Sequence, residues 1–568
     1  MARRTQQPGM VDPNLISIAV GTVPRALSLL DKTMGSPTYG SGDRPFWRYR
    51  TLVDFPGAIW QQPMLGLLIL HDLEVTENHW YNDPRLIEAS RSLLCYWIRL
   101  QHSSGTFDEW YRNEQSYCPT AFTAAVASLT LRRLGPRLPE SDIQLSQRVL
   151  LKCAEWLAVN DNSSVGNQNL AAVVALFAIA NLVDSNALMQ KAEKKLLRVL
   201  ATQNPDGWFP EYSGVDFGYT TLALDLLALA DMAGAKVLPA AERLAVFLEG
   251  FVAPDGTYPG RIGSRGSCHS FGFGLIHFSN IVPAAQRLAS RWLKTRLQAV
   301  SLPQHVDDRY FAYFYFNAFA LAAEATNKAE WDNSPSTLDT KNRVRGSLHV
   351  QSKSSGLAIS TLDEMHVVYS AHCGGLAIWV PGLGWHYHLG YRIIDSRRRH
   401  LVSGLWNTHS AIHSLDSPWQ NKNRFCYLST KRPLDRMAIP FRLATALYRY
   451  QPLAAFAQRR IKKWFISSRA GEEFILERRV ELQENYIVVN DTIQKQLGTP
   501  VVLEVWPCVE APVHSPSAQQ DYARGLIVGN WNERLVAQKI NDSNRWQQRF
   551  YILRQNNEVI VSLQAPNS

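Results

Sequence analysis

The sequence predicts a multidomain chain of the α-then-β class: helical hairpins over residues 1–335, then a β-sheet domain over 345–568. Three observations carry that expectation. At 568 residues the chain is too long for one ordinary hydrophobic core. Its apolar residues change from helical to alternating spacing across residues 331–356. The helical part also repeats itself weakly.

Residues 57–330 read as helix after helix. Leu86, Ala89, Leu93, Trp97 and Leu100 fall on one face at helical spacing. The segment Ala171–Ala180 is apolar all round, and Leu222–Ala230 is interrupted only by Asp225, as expected of buried inner helices. Three loops share a pattern: Gly105-Thr106-Phe107-Asp108-Glu109-Trp110, Gly207-Trp208-Phe209-Pro210-Glu211-Tyr212 and Gly256-Thr257-Tyr258-Pro259-Gly260-Arg261. Twelve residues after each glycine stand Tyr117, Tyr219 and Cys268, and Gln168 lies midway between the first two. The separations of 51, 51 and 49 residues suit two antiparallel helices per repeat. Such hairpins stack into an open solenoid or close into an (α/α) toroid. Closure would gather Glu109, Tyr117, Gln168, Glu211, Tyr219 and Cys268 around one mouth; the competing reading is chance recurrence of Gly-aromatic turns.

Residues Trp331–Ser336 read as a linker, and Gln351–Gly356 as a turn-rich entry. Strands follow at His366–Ser370, Tyr486–Asn490, Val501–Trp506 and Val559–Leu563, while Pro440–Tyr450 fits a short helix or a loop. Runs of helices followed by runs of strands indicate separate α and β domains rather than a doubly wound sheet.

Hydrophobic residues at 46% and charged residues at 19% exclude global disorder. A formal net charge of +10, with basic runs at Arg397-Arg398-Arg399 and Arg459-Arg460-Ile461-Lys462-Lys463, favours an anionic partner: nucleic acid, anionic lipid or a uronic-acid polymer. No zinc-finger spacing, P-loop or RNP-type run supports nucleic acid. The 7 cysteines form no CxxC pair and read as free thiols. The apolar stretch Leu170–Val183 is too short to span a bilayer, so no transmembrane segment is expected. The N-terminal pattern is unlike a signal peptide, which makes a cytoplasmic address the expectation. Oligomeric state stays open.

This layout resembles the heparinase II/III-like polysaccharide lyase family, whose members carry a helical toroid followed by an antiparallel, β-sandwich-like domain. Asn167-Gln168-Asn169-Leu170 looks like the family's Asn- and His-containing helix start. The run from Gly207 to Tyr219, with Glu211, Ser213 and Tyr219, looks like its Glu-x-Ser, Tyr-containing loop. Gln168 or Asn169 stands where the family often has His, and Asp216 stands where it has a first tyrosine. In the β part, His372-Cys373-Gly374-Gly375 and His386-Tyr387-His388 lack the Asp that completes the family's metal-associated stretch. The resemblance implies β-elimination on an acidic, glycosaminoglycan-like polysaccharide. It implies no cofactor apart from a structural divalent metal in the β domain.

β-Elimination removes the C5 proton of a uronate while charge builds on its carboxylate. It needs donors on that carboxylate, a base, and an acid for the leaving oxygen. Asn167, Gln168 and Asn169 are the expected carboxylate donors, with helix capping as the other use of Asn167. Tyr219 is the expected proton-transfer residue, assisted by His269. Arg261 and Arg265, in a Gly-rich loop, suit a bidentate grip on carboxylate or sulfate. Glu109, Tyr117, Glu211, Asp216 and His388 complete the expected substrate-binding set. Asp108, Glu109, Asp206, Glu211 and Asp216 keep open glycoside hydrolysis by paired carboxylates. A non-catalytic glycan-binding or polysaccharide-biosynthesis role is a third reading.

Overall fold

A computed structural model describes residues 13–49, 53–212, 214–295, 302–328, 350–352, 354–362, 364–406, 411–414, 418–428, 438–465, 469–510, 524–555 and 558–566. The proposed linker at 331–336, the 335/345 division and Ser213 lie outside the described residues. The described chain is helix-rich first and β-rich afterwards.

The helical part contains α1 (Pro13–Gly21), α2 (Pro63–Asp72), α3 (Pro84–Arg99), α4 (Tyr117–Leu134), α5 (Glu140–Val159), α6 (Gly166–Leu182), α7 (Asn186–Leu200), α8 (Phe217–Met232), α9 (Leu238–Phe251), α10 (Phe273–His277), α11 (Pro283–Thr295) and α12 (Phe316–Lys328). Two kinds alternate. Helices α4, α6 and α8 are buried almost throughout, because Ala, Leu and Val occupy every face. Helices α3 and α7 bury only one stripe, with charged residues on the other side. Along the inner layer α2 packs on α4, α4 on α6, α6 on α8, α8 on α10, α10 on α12, and α12 on α2. The repeat loops are true structural equivalents. Gly105, Gly207 and Gly256 all have positive φ (88°, 108° and 83°). Each sits in the same turn, closed by His102 N to Thr106 O, Asn204 N to Trp208 O, and Ala253 N to Thr257 O at 2.8–2.9 Å. A Cβ at Gly207 would lie 2.2 Å from Arg243 O, so glycine answers both the backbone angle and the close approach.

Among the described residues, fifteen strands form two sheets. The first runs β1 (Val350–Ser352), β2 (Leu357–Leu362), β3 (Met365–Ser370), β4 (Gly375–Val380), β5 (Gly384–His388), β13 (Arg524–Gly525). The second runs β12 (Val502–Pro507), β6 (Tyr391–Asp395), β7 (His400–Val402), β9 (Trp419–Leu428), β10 (Arg469–Leu482), β11 (Tyr486–Lys495), β14 (Arg545–Gln555), β15 (Glu558–Ser562), with β8 (Ala411–Ser414) beside β9. Pairing is antiparallel except between β5 and β13. The central strands β2, β3 and β4 are largely buried on both faces, and strand alternation sorts their side chains. Met365, Val367, Leu376 and Ile378 join Trp419, Val480, Val489 and Phe550 of the second sheet in one apolar core. Leu357, Ile359, Val368, Ala377 and Tyr387 turn the other way, into the core of the helical part. Pro440–Tyr450, ambiguous in sequence, belongs to a helical hairpin: α13 (Ala438–Leu447) and α14 (Gln451–Phe465). A further helix, α15 (Glu533–Ser543), packs on β12.

Candidate active site

A cavity of about 360 Å³ opens among the loops at one end of the inner helices. Of the six residues expected at a common mouth, Glu109, Gln168, Glu211 and Tyr219 line it, joined by the expected site residues Asn167 and Arg265. They arrive from four successive segments: the loop before α4, the start of α6, the loop and first turn of α8, and the loop before α10. Local hydrogen bonds explain the convergence. Gly166 N donates to Pro210 O (2.8 Å) and Tyr212 N to Ser164 O (2.7 Å), which ties the Glu211 loop to the start of α6. Asn167 then donates from its side-chain Nδ2 (2.5 Å) and its backbone N (3.2 Å) to Glu211 Oε1. Burial pushes the Glu211 carboxyl up to about 8 even against these donors. Gln168 accepts at Oε1 from Asn162 Nδ2 (2.6 Å), so its amide nitrogen is the half left to donate.

Asp216 caps α8 instead of lining the cavity. It is fully buried and accepts from the backbone N–H groups of Tyr219 (3.0 Å), Arg265 (3.1 Å) and Ser267 (3.1 Å). It thereby sets both Tyr219 and the Arg265 loop in place. The Tyr219 hydroxyl lies 3.3 Å from that of Tyr310. Burial raises the Tyr219 pKa first and Tyr310 adds to it, while Arg265 opposes. The Arg265 guanidinium lies 4.5 Å from the ring centroid of Tyr212, whose backbone holds a left-handed φ of 52°. That angle strains a bulky residue, as is common around functional centres.

The other expected site residues lie elsewhere. Tyr117 is buried against Trp156 and Lys195 on the outer side of α4. It is the first residue of its helix and Tyr219 the third of its own; that offset turns a side chain by roughly 200°. Asn169 is spent on Asn162, accepting from its N (3.0 Å) and donating to its O (2.6 Å). His269 sits in the layer behind Tyr219, with ring centroids 5.9 Å apart and its Nδ1 3.0 Å from the Tyr315 hydroxyl; burial lowers its pKa to about 4. Arg261 is drawn to the β part, pairing with Glu510 at 3.0 Å and facing the Tyr387 ring. The third repeat loop docks there too: Trp379 donates to Asp255 (2.8 Å) and Trp385 to Thr257 (2.9 Å). Its partner position Cys268 follows Arg261, 3.6 Å from that guanidinium.

His388 points into the β core because Tyr387 takes the face toward the helices. Its Nδ1 meets Arg478 Nη2 at 2.9 Å and accepts from Gly390 N at 3.2 Å. Arg478 is fully buried and forks onto Asp491 at 2.7 Å through Nε and Nη2. Tyr391 donates to the same carboxylate (2.7 Å). These residues do not fit the divalent metal implied by the resemblance, since a guanidinium already supplies the positive charge beside His388. Among the described residues no group of three or more His, Cys, Asp or Glu gathers as metal ligands.

The cavity also holds residues the motifs did not mark. Arg309 pairs with Glu109 at 2.7 Å and lies 3.7 Å from the Trp110 ring centroid. Glu114 accepts from Glu109 N (2.9 Å) and Trp110 N (2.8 Å), and burial together with Glu109 raises its pKa. Tyr310 and Tyr313 complete the far wall, and Gln458 and Ile461 of α14 reach it from the β part. The aromatic run Tyr310–Phe319 was the available signal for the former; nothing local in the sequence pointed to the latter.

No protein-family model and no curated protein matches the sequence. Solved structures do. The chondroitin AC lyase of Streptomyces coelicolor A3, in complex with chondroitin sulphate, is 10% identical with a TM-score of 0.50, over 88% of this chain and 68% of that one. A mutant of the same lyase gives 11% identity and 0.47 over the same shares. A Paenibacillus xanthan lyase gives 9% and 0.44, over 87% of this chain and 46% of its own. The chain is thus similar in fold to a polysaccharide lyase, at an identity that does not single out the heparinase II/III-like family.

Proposed function

We propose that the protein is a polysaccharide lyase that cleaves an acidic, uronic-acid-containing polysaccharide by β-elimination. The observation that carries this reading is the convergence of Gln168, Tyr219, Tyr310 and Arg265 on one cavity. The similarity in fold supports it. Arg265 and the Gln168 amide hold the uronate carboxylate and stabilise the charge that grows there. Tyr219, as tyrosinate, takes the C5 proton. The C4–oxygen bond breaks as the C4–C5 double bond forms, and the departing oxygen recovers a proton from the Tyr219 hydroxyl. Asn167 and Asp216 are positioning residues in this scheme, holding Glu211 and the first turn of α8. The packing of α12 back on α2 supports closure of the hairpins into an (α/α) toroid, and the change from helical to alternating spacing supports a division into residues 1–335 and 345–568.

Incubation with a panel of uronic-acid polymers tests the reading. Absorbance of unsaturated uronate should appear together with new chain ends. Glu211, whose carboxyl burial pushes up to about 8 within the same cavity, favours hydrolysis as the second reading. New reducing ends without that absorbance would establish it in place of elimination.

A further inference from the structure

We infer that the α13–α14 hairpin seats this protein on an anionic phospholipid surface. Its inner and outer faces differ sharply. Inside, Thr445, Ala454 and Ala457 are buried. The backbone is clipped to the loop before α4: Asn113 donates to Thr445 O (2.9 Å), Gln115 to Tyr448 O (2.7 Å), and Gln458 to Glu114 O (2.8 Å). Outside, Ile439, Leu443 and Leu447 recur every four residues along α13 and are 73%, 70% and 65% exposed. Tyr450 at the turn is 69% exposed, and Leu453 and Phe456 continue the patch on α14 at 36% and 52%. Scattered surface apolar residues need no explanation, but six within eighteen consecutive positions form a continuous face.

Charge identifies the occupant. Residues 438–465 contain six Arg or Lys and no Asp or Glu. Arg449, Arg459 and Arg460 are exposed beside the apolar face, and Arg442, which approaches Asp54 at 3.9 Å, is 62% exposed. An apolar stripe flanked by cations, with no acidic residue in the hairpin's own sequence, is the pattern of a helix lying in the headgroup layer. A protein partner would need matching acidic and apolar groups; a bilayer of anionic lipid supplies both by its nature. No helix among the described residues is long and apolar enough to cross a membrane, so the contact is interfacial. Because α14 also lines the cavity, docking places the candidate site next to the membrane.

Sedimentation of the full chain with vesicles tests this independently of any enzymatic reading. Vesicles of equal parts phosphatidylcholine and phosphatidylglycerol should retain the protein roughly 10-fold better than phosphatidylcholine alone. The triple variant Ile439→Ser, Leu443→Ser, Leu447→Ser should weaken retention at least ~100-fold with unchanged circular dichroism. The pair Arg459→Gln, Arg460→Gln should erase the preference for phosphatidylglycerol. Failure of the unaltered protein to bind, or equal binding by the triple variant, overturns the inference. So does self-association that the triple variant disperses in the absence of vesicle binding, which would assign the face to a second copy. Loss of acidic-polymer retention in the arginine pair, again without vesicle binding, would assign it to polysaccharide.

Discussion

At the scale of single residues, the site is defined by how burial redistributes protons. The Tyr219 hydroxyl meets that of Tyr310 at 3.3 Å, and both tyrosines are held in their protonated form by burial. An elimination that begins with tyrosinate must therefore gain rate as pH rises toward the raised Tyr219 pKa. Tyr219→Phe removes the proton carrier and leaves the ring in place. It should lower kcat at least ~100-fold and abolish the alkaline rise, with a melting temperature close to that of the unaltered protein. Near-normal turnover would remove Tyr219 from the reaction. Asn169 and Tyr117 show how far a motif can mislead at this scale. Asn169 is adjacent to cavity residues, yet both halves of its amide are taken by the Asn162 backbone.

At the scale of elements, α8 carries the clearest test. Asp225 is the one polar residue inside an otherwise apolar segment, and it is buried with Gly274 N donating to it at 2.6 Å. Burial pushes its carboxyl from 3.8 up to about 8. Glu211 is raised likewise to about 8. For a raised carboxylate the folded state holds a proton that the unfolded chain has lost. Stability is then complete below the unfolded pKa and falls as pH climbs toward 8, by about 1.4 kcal/mol per pH unit for each such group. His269 and His388, lowered to about 4 and about 3, act oppositely: their contribution is present above 6.5 and fades as pH falls. The two trends oppose below pH 6.5, so the window from 6.5 to 8 isolates the carboxylates. Asp225→Asn keeps the acceptor for Gly274 N and cannot ionise. Thermal melts should show its advantage over the parent growing from pH 5 to pH 8 and vanishing only below the unfolded pKa of 3.8. A constant difference across that range would refute the buried-proton account.

At the scale of the whole molecule, the helical and β parts are joined through one sheet whose alternating side chains serve two cores. Beneath that sheet lies the Arg478–Asp491 pair, with His388, Tyr391 and the Gly374 carbonyl around it. A buried pair of this kind contributes little relative to an apolar replacement of both partners, but losing one partner strands the other. Arg478→Met should cost about 3–5 kcal/mol in urea unfolding. Chelating agents should leave the parent's midpoint unchanged, since the guanidinium, not a metal ion, neutralises Asp491. A chelator-sensitive midpoint would return a metal to this core.

The order of helices and strands, the turn glycines and the convergence of Gln168, Glu211 and Tyr219 were legible in the sequence. They follow from local rules: apolar period, left-handed glycine turns, and a repeat that must place equivalent loops at the same end of the inner helices. Asp216 as a buried cap, Arg261 drawn away to Glu510, His388 turned into the β core and the α14 wall of the cavity were decided only in three dimensions. Each depends on groups up to hundreds of residues away in the chain, and burial and electrostatics act through space, where no local spacing records them.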